Sequence, residues 1–452
     1  MTIQTSEENF LKNNTNFSIE KESKVLKFFK ILTFHLAGVT CLIAYNALLS
    51  GLDCFIYYYE EFYPQILFPN LYFFFNFFFQ IFFMLQSIKY SHYILIQACL
   101  LVTTATLFLN PIVMVNFSKI SSFIITCVLT ALQGFTNAML FNLFYSLMMH
   151  LDGVYITATI AGHSLSGILM NLTRLSTLFI FNLEGKRANI NKSNLDNSFF
   201  TFYYMAGGVI MANFFMMIFM RRQKDFKMAL RKACPSDELF DEEVNNDERC
   251  LSLCSDPYKE SIEEVGVAPF SNQFKLSEYE KLKIICNKLP GLNFFIFVHS
   301  VITFCLYPGV LIAKNIFSEN AGFSIVIVLI IFNSSDMLSR EATRFFYIEN
   351  SRTIFIVISV RLSFVLLFPV VYIYLAGTNF ANFFSNGWVF SILIVFLGAS
   401  NGFIISNSFS YIHNTELIHN NLKSKASLLL SAFLNFGCFV GTLLSYILLI
   451  GS

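Results

Sequence analysis

Residues 322–340 read GFSIVIVLIIFNSSDMLSR. An almost wholly apolar run, 322–332, leads into an acid, Asp336, and a base, Arg340, four residues apart. On an α-helix residues i and i+4 share a face, and acid before base is the better order. On a surface helix such a pair is an ordinary polar tip. In a membrane helix it sits where each ionisable group costs at least ~2.5 kcal/mol at mid-span. The fold class turns on which of these environments the run occupies.

Composition decides for the membrane. Of 452 residues, 55% are hydrophobic and 13% charged, against the roughly 25% charged of soluble domains. Mean hydropathy is +0.60 and 56 residues are Phe. A chain of this length with so little charge cannot cover a water-facing surface, so an all-α polytopic membrane protein is expected. The Phe, Ile, Asn and Tyr bias is also what an AT-rich coding sequence produces.

A helix needs about 20 residues to cross the hydrocarbon core. Segments of that order recur near 28–56, 66–88, 92–114, 120–149, 153–182 and 200–220. A charged stretch follows at 221–289, then five more segments near 291–313, 322–347, 354–375, 387–412 and 426–449. The expected organisation is a cytoplasmic tail (1–27), an N-terminal bundle of spans 1–6 (28–220), a large cytoplasmic loop (221–289) and a C-terminal bundle of spans 7–11 (290–452). With the N-terminus inside, 22 of the 30 Lys and Arg fall on the inner side and 5 on the outer side. The positive-inside rule thus sets the N-terminus in the cytoplasm and the C-terminus outside. The tail lacks a short basic segment leading into a cleavable apolar core, so no signal peptide is expected.

Other classes find little support. The loop carries 14 acids, including DELFDEEVNNDE at 237–248, and reads as a solvated, disordered linker. The ten Cys are scattered and read as small reduced residues; CLSLC at 250–254 lacks the paired spacing and His of a zinc site. No metal and no cofactor are expected. There is no phosphate loop, HExxH or GxSxG, so an enzyme is the least expected class. No basic stripe suggests nucleic acid. The sequon NKS at 191–193 falls in an outer loop, where a glycan could attach in a suitable host.

Chemistry is therefore sought in polar groups inside spans. Arg174, Asp336, Arg340 and Arg361 are the ionisable candidates. Arg340 also fits a basic residue snorkelling toward a helix end, whereas the short Asp336 side chain cannot reach far. Arg361 fits a structural partner for a carboxylate or a helix end. Gln133, in ALQGFTN (131–137), offers both a donor and an acceptor to a planar heterocycle, or equally to a neighbouring helix. His163 reads as a helix-contact residue or a site residue. YPG at 307–309 interrupts the seventh span, and Gly162, Gly167, Gly437 and Gly441 read as close-packing positions.

Taken in order, several of these pieces resemble the equilibrative nucleoside transporter family, of protist type. FNSSDMLSR resembles the family's eighth-span FNxxDxxGR, LGASNGF (397–403) its tenth-span GxSNGY, and ALQG its fourth-span LQG. AGHSLSGILMNLTR (161–174) is similar to SGQGxxG followed by an Arg, FCLYPGV to TLxxFPG, and VRLSFVLLFP to RxxFxPL. Four departures stand out: LIAYNALL where LPWN is usual, keeping Asn46 but with Tyr45 as the aromatic; Ser339 for Gly; His163 for Gln; and Phe403 for Tyr.

The resemblance implies eleven spans in a 6+5 arrangement similar to the major facilitator superfamily, with two bundles rocking about a central site. It implies facilitated, alternating-access transport of nucleosides, and of nucleobases as a second class, with purines expected. Gln133 would contact the base, Asp336 and Arg340 the sugar hydroxyls, Asn333 would lie near the same cavity, and Tyr45 would form an aromatic wall or an outer gate. Asn46, His163, Arg174, Arg361, Ser400 and Asn401 would be structural or gating groups. The expected partners are the small-molecule substrate and the lipid bilayer, with the chain a monomer. The plasma membrane is the default location and an organelle membrane the alternative. Two other readings stay open: a facilitator of another small polar solute, such as a sugar or vitamin, and a non-transporting receptor or scaffold acting through the acidic loop.

Overall fold

The structure is a computed structural model. It describes residues 24–85, 91–148, 150–151, 153–183, 191–233, 277–289, 291–307, 321–343, 345–348, 351–369 and 386–450. Fourteen α-helices and one short 3₁₀ turn (Glu60–Phe62) make up the described fold. In order they are α1 (Lys24–Ser50), α2 (Leu52–Tyr59), α3 (Pro64–Leu85), α4 (His92–Asn116), α5 (Lys119–Met148), α6 (Gly153–Ile180) and α7 (Lys192–Met220). Then come α8 (Lys224–Ala233), α9 (Glu278–Lys288), α10 (Leu292–Cys305), α11 (Ala321–Ala342), α12 (Ser351–Pro369), α13 (Gly387–Asn414) and α14 (Asn420–Ile450). Among the described residues nine helices are long and apolar enough to cross a membrane, or ten if the bent pair α9–α10 counts as one span.

Apolar side chains fill the interior and also cover much of the outer surface. Along α3, Phe74, Phe78 and Phe82 point outward, 42–55% exposed. Asn76 and Gln80, on the opposite face, are fully buried. Lipid solvates the Phe stripe, whereas buried amides must find partners inside the protein. Here Gln80 donates to the Ser431 hydroxyl (2.7 Å) and accepts from Asn435 (2.6 Å), while Thr442 donates to Asn70 (2.7 Å). A neutral polar seam thus joins α3 to α14. This second span is the one whose sequence offers fewest landmarks.

Packing follows small residues. Helix α1 lies along α6 where Gly38 faces Gly162. A Cβ on Gly38 would come 2.0 Å from the Thr159 carbonyl oxygen, and one on Gly162 2.1 Å from that of His35. Gly437 and Gly441 do the same for α14 against the backbone of α10. Close backbone approach is how membrane helices gain packing energy without a hydrophobic drive. Contacts group α1–α7 together and α10–α14 together, and the two groups meet chiefly through α6 with α11 and α3 with α14.

Several boundaries differ from expectation. The segment 28–56 is two helices broken at Gly51, whose backbone sits against the rings of Phe199 and Tyr203. Helix α7 starts at Lys192, not near 200, because Asn191 caps it by accepting from the Ser193 N–H. The interval 221–289, expected as a disordered linker, has helical ends. Helix α8 docks on α1 through Lys30–Asp225 (2.7 Å) and Phe34–Phe226. Helix α9 starts with a capping box, in which bonds from the Ser277 N–H and hydroxyl hold the Glu280 carboxyl below the usual range. The acidic run, Cys250 and Cys254, and the Pro and Gly of YPG lie outside the described residues.

Valine at Gly162 is expected to destabilise the protein by about 3 kcal/mol, because a backbone carbonyl cannot give way. Alanine at Gly208, where a Cβ meets nothing within 4 Å, is expected to be neutral or stabilising. Thermal unfolding of the two purified variants in detergent checks both outcomes.

Candidate functional site

Asp336 and Arg340 lie one helical turn apart on α11. Asp336 is 3% exposed and Arg340 6%. Arg340 Nε donates to Asp336 Oδ2 at 3.0 Å and Nη2 to Oδ1 at 3.4 Å. Two further donors converge on the same carboxylate. The Ser164 hydroxyl reaches it from α6 in a very short bond, and Asn401 Nδ2 reaches Oδ1 from α13 at 2.8 Å. Arg340 Nη1 also donates to the Ile160 carbonyl of α6, at 3.3 Å. Asp336 therefore ties both helix groups together, with its acceptor capacity filled from three helices.

Small residues make this convergence possible. A Cβ on Gly402 would fall 2.1 Å from the Asp336 carbonyl oxygen, and one on Gly398 2.5 Å from that of Phe332. Across the interface, a Cβ on Gly167 would strike the Asn333 amide, 2.4 Å from its Cγ. Asn333 donates to its own helix (Leu329 O, 2.9 Å) and toward the Tyr307 hydroxyl (3.4 Å).

The network continues away from α6. Asn401 Oδ1 accepts from His299 Nε2 and from the Thr303 hydroxyl, both at 3.1 Å. Arg361 Nη1 lies 2.5 Å from His299 Nδ1, and Nη2 donates to the Leu397 carbonyl at 3.0 Å. Nη1 also lies 3.0 Å from His299 Nε2, so the guanidinium sits against the edge of the imidazole. The expected carboxylate partner for Arg361 is absent from its hydrogen bonds among the described residues. It joins Asp336 only through His299 and Asn401.

The remaining expected site residues divide. Tyr45 is buried against Tyr72, Phe73 and Phe304, at ring separations of 5.1, 4.7 and 6.4 Å. Asn46 donates to Ser166 at 2.6 Å, binding α1 to α6. Gln133 Nε2 donates to Thr106 of α4 at 3.3 Å. His163 packs in a tilted contact on Phe141 at 5.0 Å and leaves Nε2 without a hydrogen-bond partner. Ser400 donates only to the Leu397 carbonyl of its own helix (3.0 Å) and stands apart from the Asp336 network. Arg174 is also remote from it. Fully buried, Arg174 pairs with Asp53 of α2 in a very short bond and donates to Ser198 of α7 at 2.6 Å. That pair holds α2, α6 and α7 together.

Reading by residue type missed Ser164, His299, Thr303 and Asp53. Asp53 stands in the open as a lone acid inside an apolar segment. The others are types common in any helix, and only their neighbours mark them. Among the described residues no cluster could hold a metal ion, and the seven described cysteines are free thiols.

Two packed groups of apolar helices thus meet at a buried charged network. The model of the nucleoside transporter family matches residues 124–450, and the chain belongs to that family. The match takes in Gln133, the α6 motif, Asp336, Arg340, Arg361 and Asn401; Tyr45 and Asn46 lie before it. It is thus an integral membrane transporter, not an enzyme. No curated protein matches it. Solved structures share the fold. The proton:xylose symporter XylE bound to 6-bromo-6-deoxy-D-glucose, of the major facilitator superfamily, aligns with TM-score 0.54 at 10% identity, over 94% of this chain and 88% of that one. The nucleoside transporter NupG, in a mutant form, aligns with TM-score 0.50 at 12% identity, over 93% of this chain and 96% of that one.

Replacing Arg174 by Met leaves the largely buried Asp53 without its counter-charge and is expected to destabilise by about 3–5 kcal/mol. Adding Asp53→Leu to that variant should recover most of the loss. Thermal unfolding of single and double variants tests the pairing.

Proposed function

We propose that this chain carries nucleosides, with purine nucleosides preferred and nucleobases as a second class, down their gradients by alternating access. The single observation that carries the reading is the buried Asp336–Arg340 pair, pressed against the facing helix α6 in a chain of the nucleoside transporter family. A ribose presents adjacent hydroxyls that both donate and accept. A carboxylate accepts from the hydroxyl donors and a guanidinium donates to the hydroxyl oxygens, so together they read a diol while adding no net charge. In the described state the Ser164 hydroxyl fills a place on Asp336 that a sugar hydroxyl would take over. Gln133, Asn333 and Tyr45 belong to the same pathway in this reading, and His163, Asn46, Arg174, Arg361, Ser400 and Asn401 support or gate it.

The architecture proposed with it is 6+5. Helices α1–α7, with α1 and α2 as one broken span, supply six spans, and α10–α14 supply five. Helices α10 and α12 fall outside the nine long apolar helices, and each runs up to residues beyond the described set. The N-terminus and the 221–289 interval face the cytoplasm, the C-terminus faces out, and the monomer works in the plasma membrane.

A sugar facilitator is the second reading. The xylose symporter shares the fold, and a diol-reading pair suits sugars equally. The test is uptake of labelled adenosine by the purified full chain in liposomes, with glucose as competitor. Saturable adenosine uptake that glucose leaves unchanged is expected; adenosine that neither enters nor inhibits would sink the nucleoside reading. Asp336→Asn should lower that uptake at least about tenfold while expression is retained, the scale of one charge-assisted bond.

A further inference from the structure

On α5, Gln133, Asn137, Phe141 and Tyr145 follow one another at intervals of four, forming one ridge. The ridge runs from α4 toward the interface between the helix groups. Gln133 is tied to Thr106 of α4, and Phe141 carries the His163 ring of α6. Tyr145 stacks at 5.0 Å on Phe409 of α13, in the other group. Asn137 lies between these anchors, 3% exposed. Neither its Nδ2 nor its Oδ1 has a hydrogen-bond partner. The Tyr72 hydroxyl approaches the amide, yet it too meets no hydrogen-bond geometry. The hydroxyl of Tyr45, whose ring packs on Tyr72, and Nε2 of His163 are likewise unpartnered.

Buried amides almost always find partners, and one with both ends empty is a place where something else should bind. Asn is also a poor choice for packing alone, since a Leu of similar size would fit without the desolvation penalty. Gln133 differs, because its amide already donates to the protein.

We infer that Asn137, one turn beyond Gln133, reads the edge of a planar heterocycle, while Gln133 acts as a positioning residue that fixes the ridge to α4. This deepens the nucleoside reading and rests on it. The amide offers one donor beside one acceptor, the pattern that matches the adjacent carbonyl and N–H of a hypoxanthine or guanine edge. The pyrimidine ring of uracil offers a similar pair in a smaller frame. The unpartnered His163 Nε2 adds a second polar point about one helical turn along the same ridge, above Phe141.

The test uses the purified full chain in nanodiscs, with inosine, uridine and free ribose as probes. Binding and thermal unfolding are measured for the wild type, Asn137→Leu and Gln133→Leu. Asn137→Leu should bind inosine at least about tenfold more weakly. It should unfold at the wild-type temperature or higher, because an unsatisfied amide has been removed. Gln133→Leu should unfold earlier, having lost the Thr106 bond. Asn137→Leu that keeps wild-type inosine affinity overturns the inference alone. So does Asn137→Leu that fails to fold or unfolds earlier than wild type, since the amide would then be structural. Wild-type protein that binds neither inosine nor uridine overturns the nucleoside reading, and this inference with it.

Discussion

One carboxylate in the membrane interior organises this protein. Asp336 is buried, so the fold must bring donors to it. It does so from three helices: Arg340 along α11, Ser164 from α6 and Asn401 from α13. Each donor requires a close backbone approach, and Gly402, Gly398 and Gly167 stand where those approaches occur. The charge and the small residues are thus one device. A methyl group at Gly402 would push α13 off the helix that it hydrogen-bonds.

The same logic separates the two buried ion pairs. Arg174 and Asp53 join helices within one group. The Asp336 network spans both groups through Ser164 and the Ile160 carbonyl, so any opening between α6 and α11 must exchange those bonds for others. A polar solute with hydroxyl groups is one source of replacements. The seam of Asn70, Gln80, Ser431, Asn435 and Thr442 joins α3 to α14 without charge. Neutral amide and hydroxyl bonds are individually weaker than charge-assisted ones.

Much of the candidate site was legible because its residues are costly in a membrane. Asp336, Arg340, Arg174 and Arg361 are conspicuous in apolar runs, and the i, i+4 spacing of the first two set their pairing. What they pair with beyond the helix was not legible. Arg361, expected to meet a carboxylate or a helix end, meets His299 and the mid-helix Leu397 carbonyl instead, partners 62 and 36 residues away. Ser400, beside Asn401 in the same motif, turns back onto its own helix. Two adjacent polar residues point about 100° apart on a helix, so a motif alone does not say which one faces inward.

By itself the sequence determined that this chain lives in a membrane, roughly where its helices run, and which charges the membrane would not tolerate unpaired. Those are matters of composition and of local spacing, and they need no knowledge of neighbours. The tertiary structure alone decided which helices meet and which polar atoms remain free when they do. Ser164, Asn137 and Gln80 are ordinary letters in their segments. The first caps a buried carboxylate, the second is left unpaired and the third closes a seam, because interhelical distance, not sequence separation, decides whether a hydrogen bond can form.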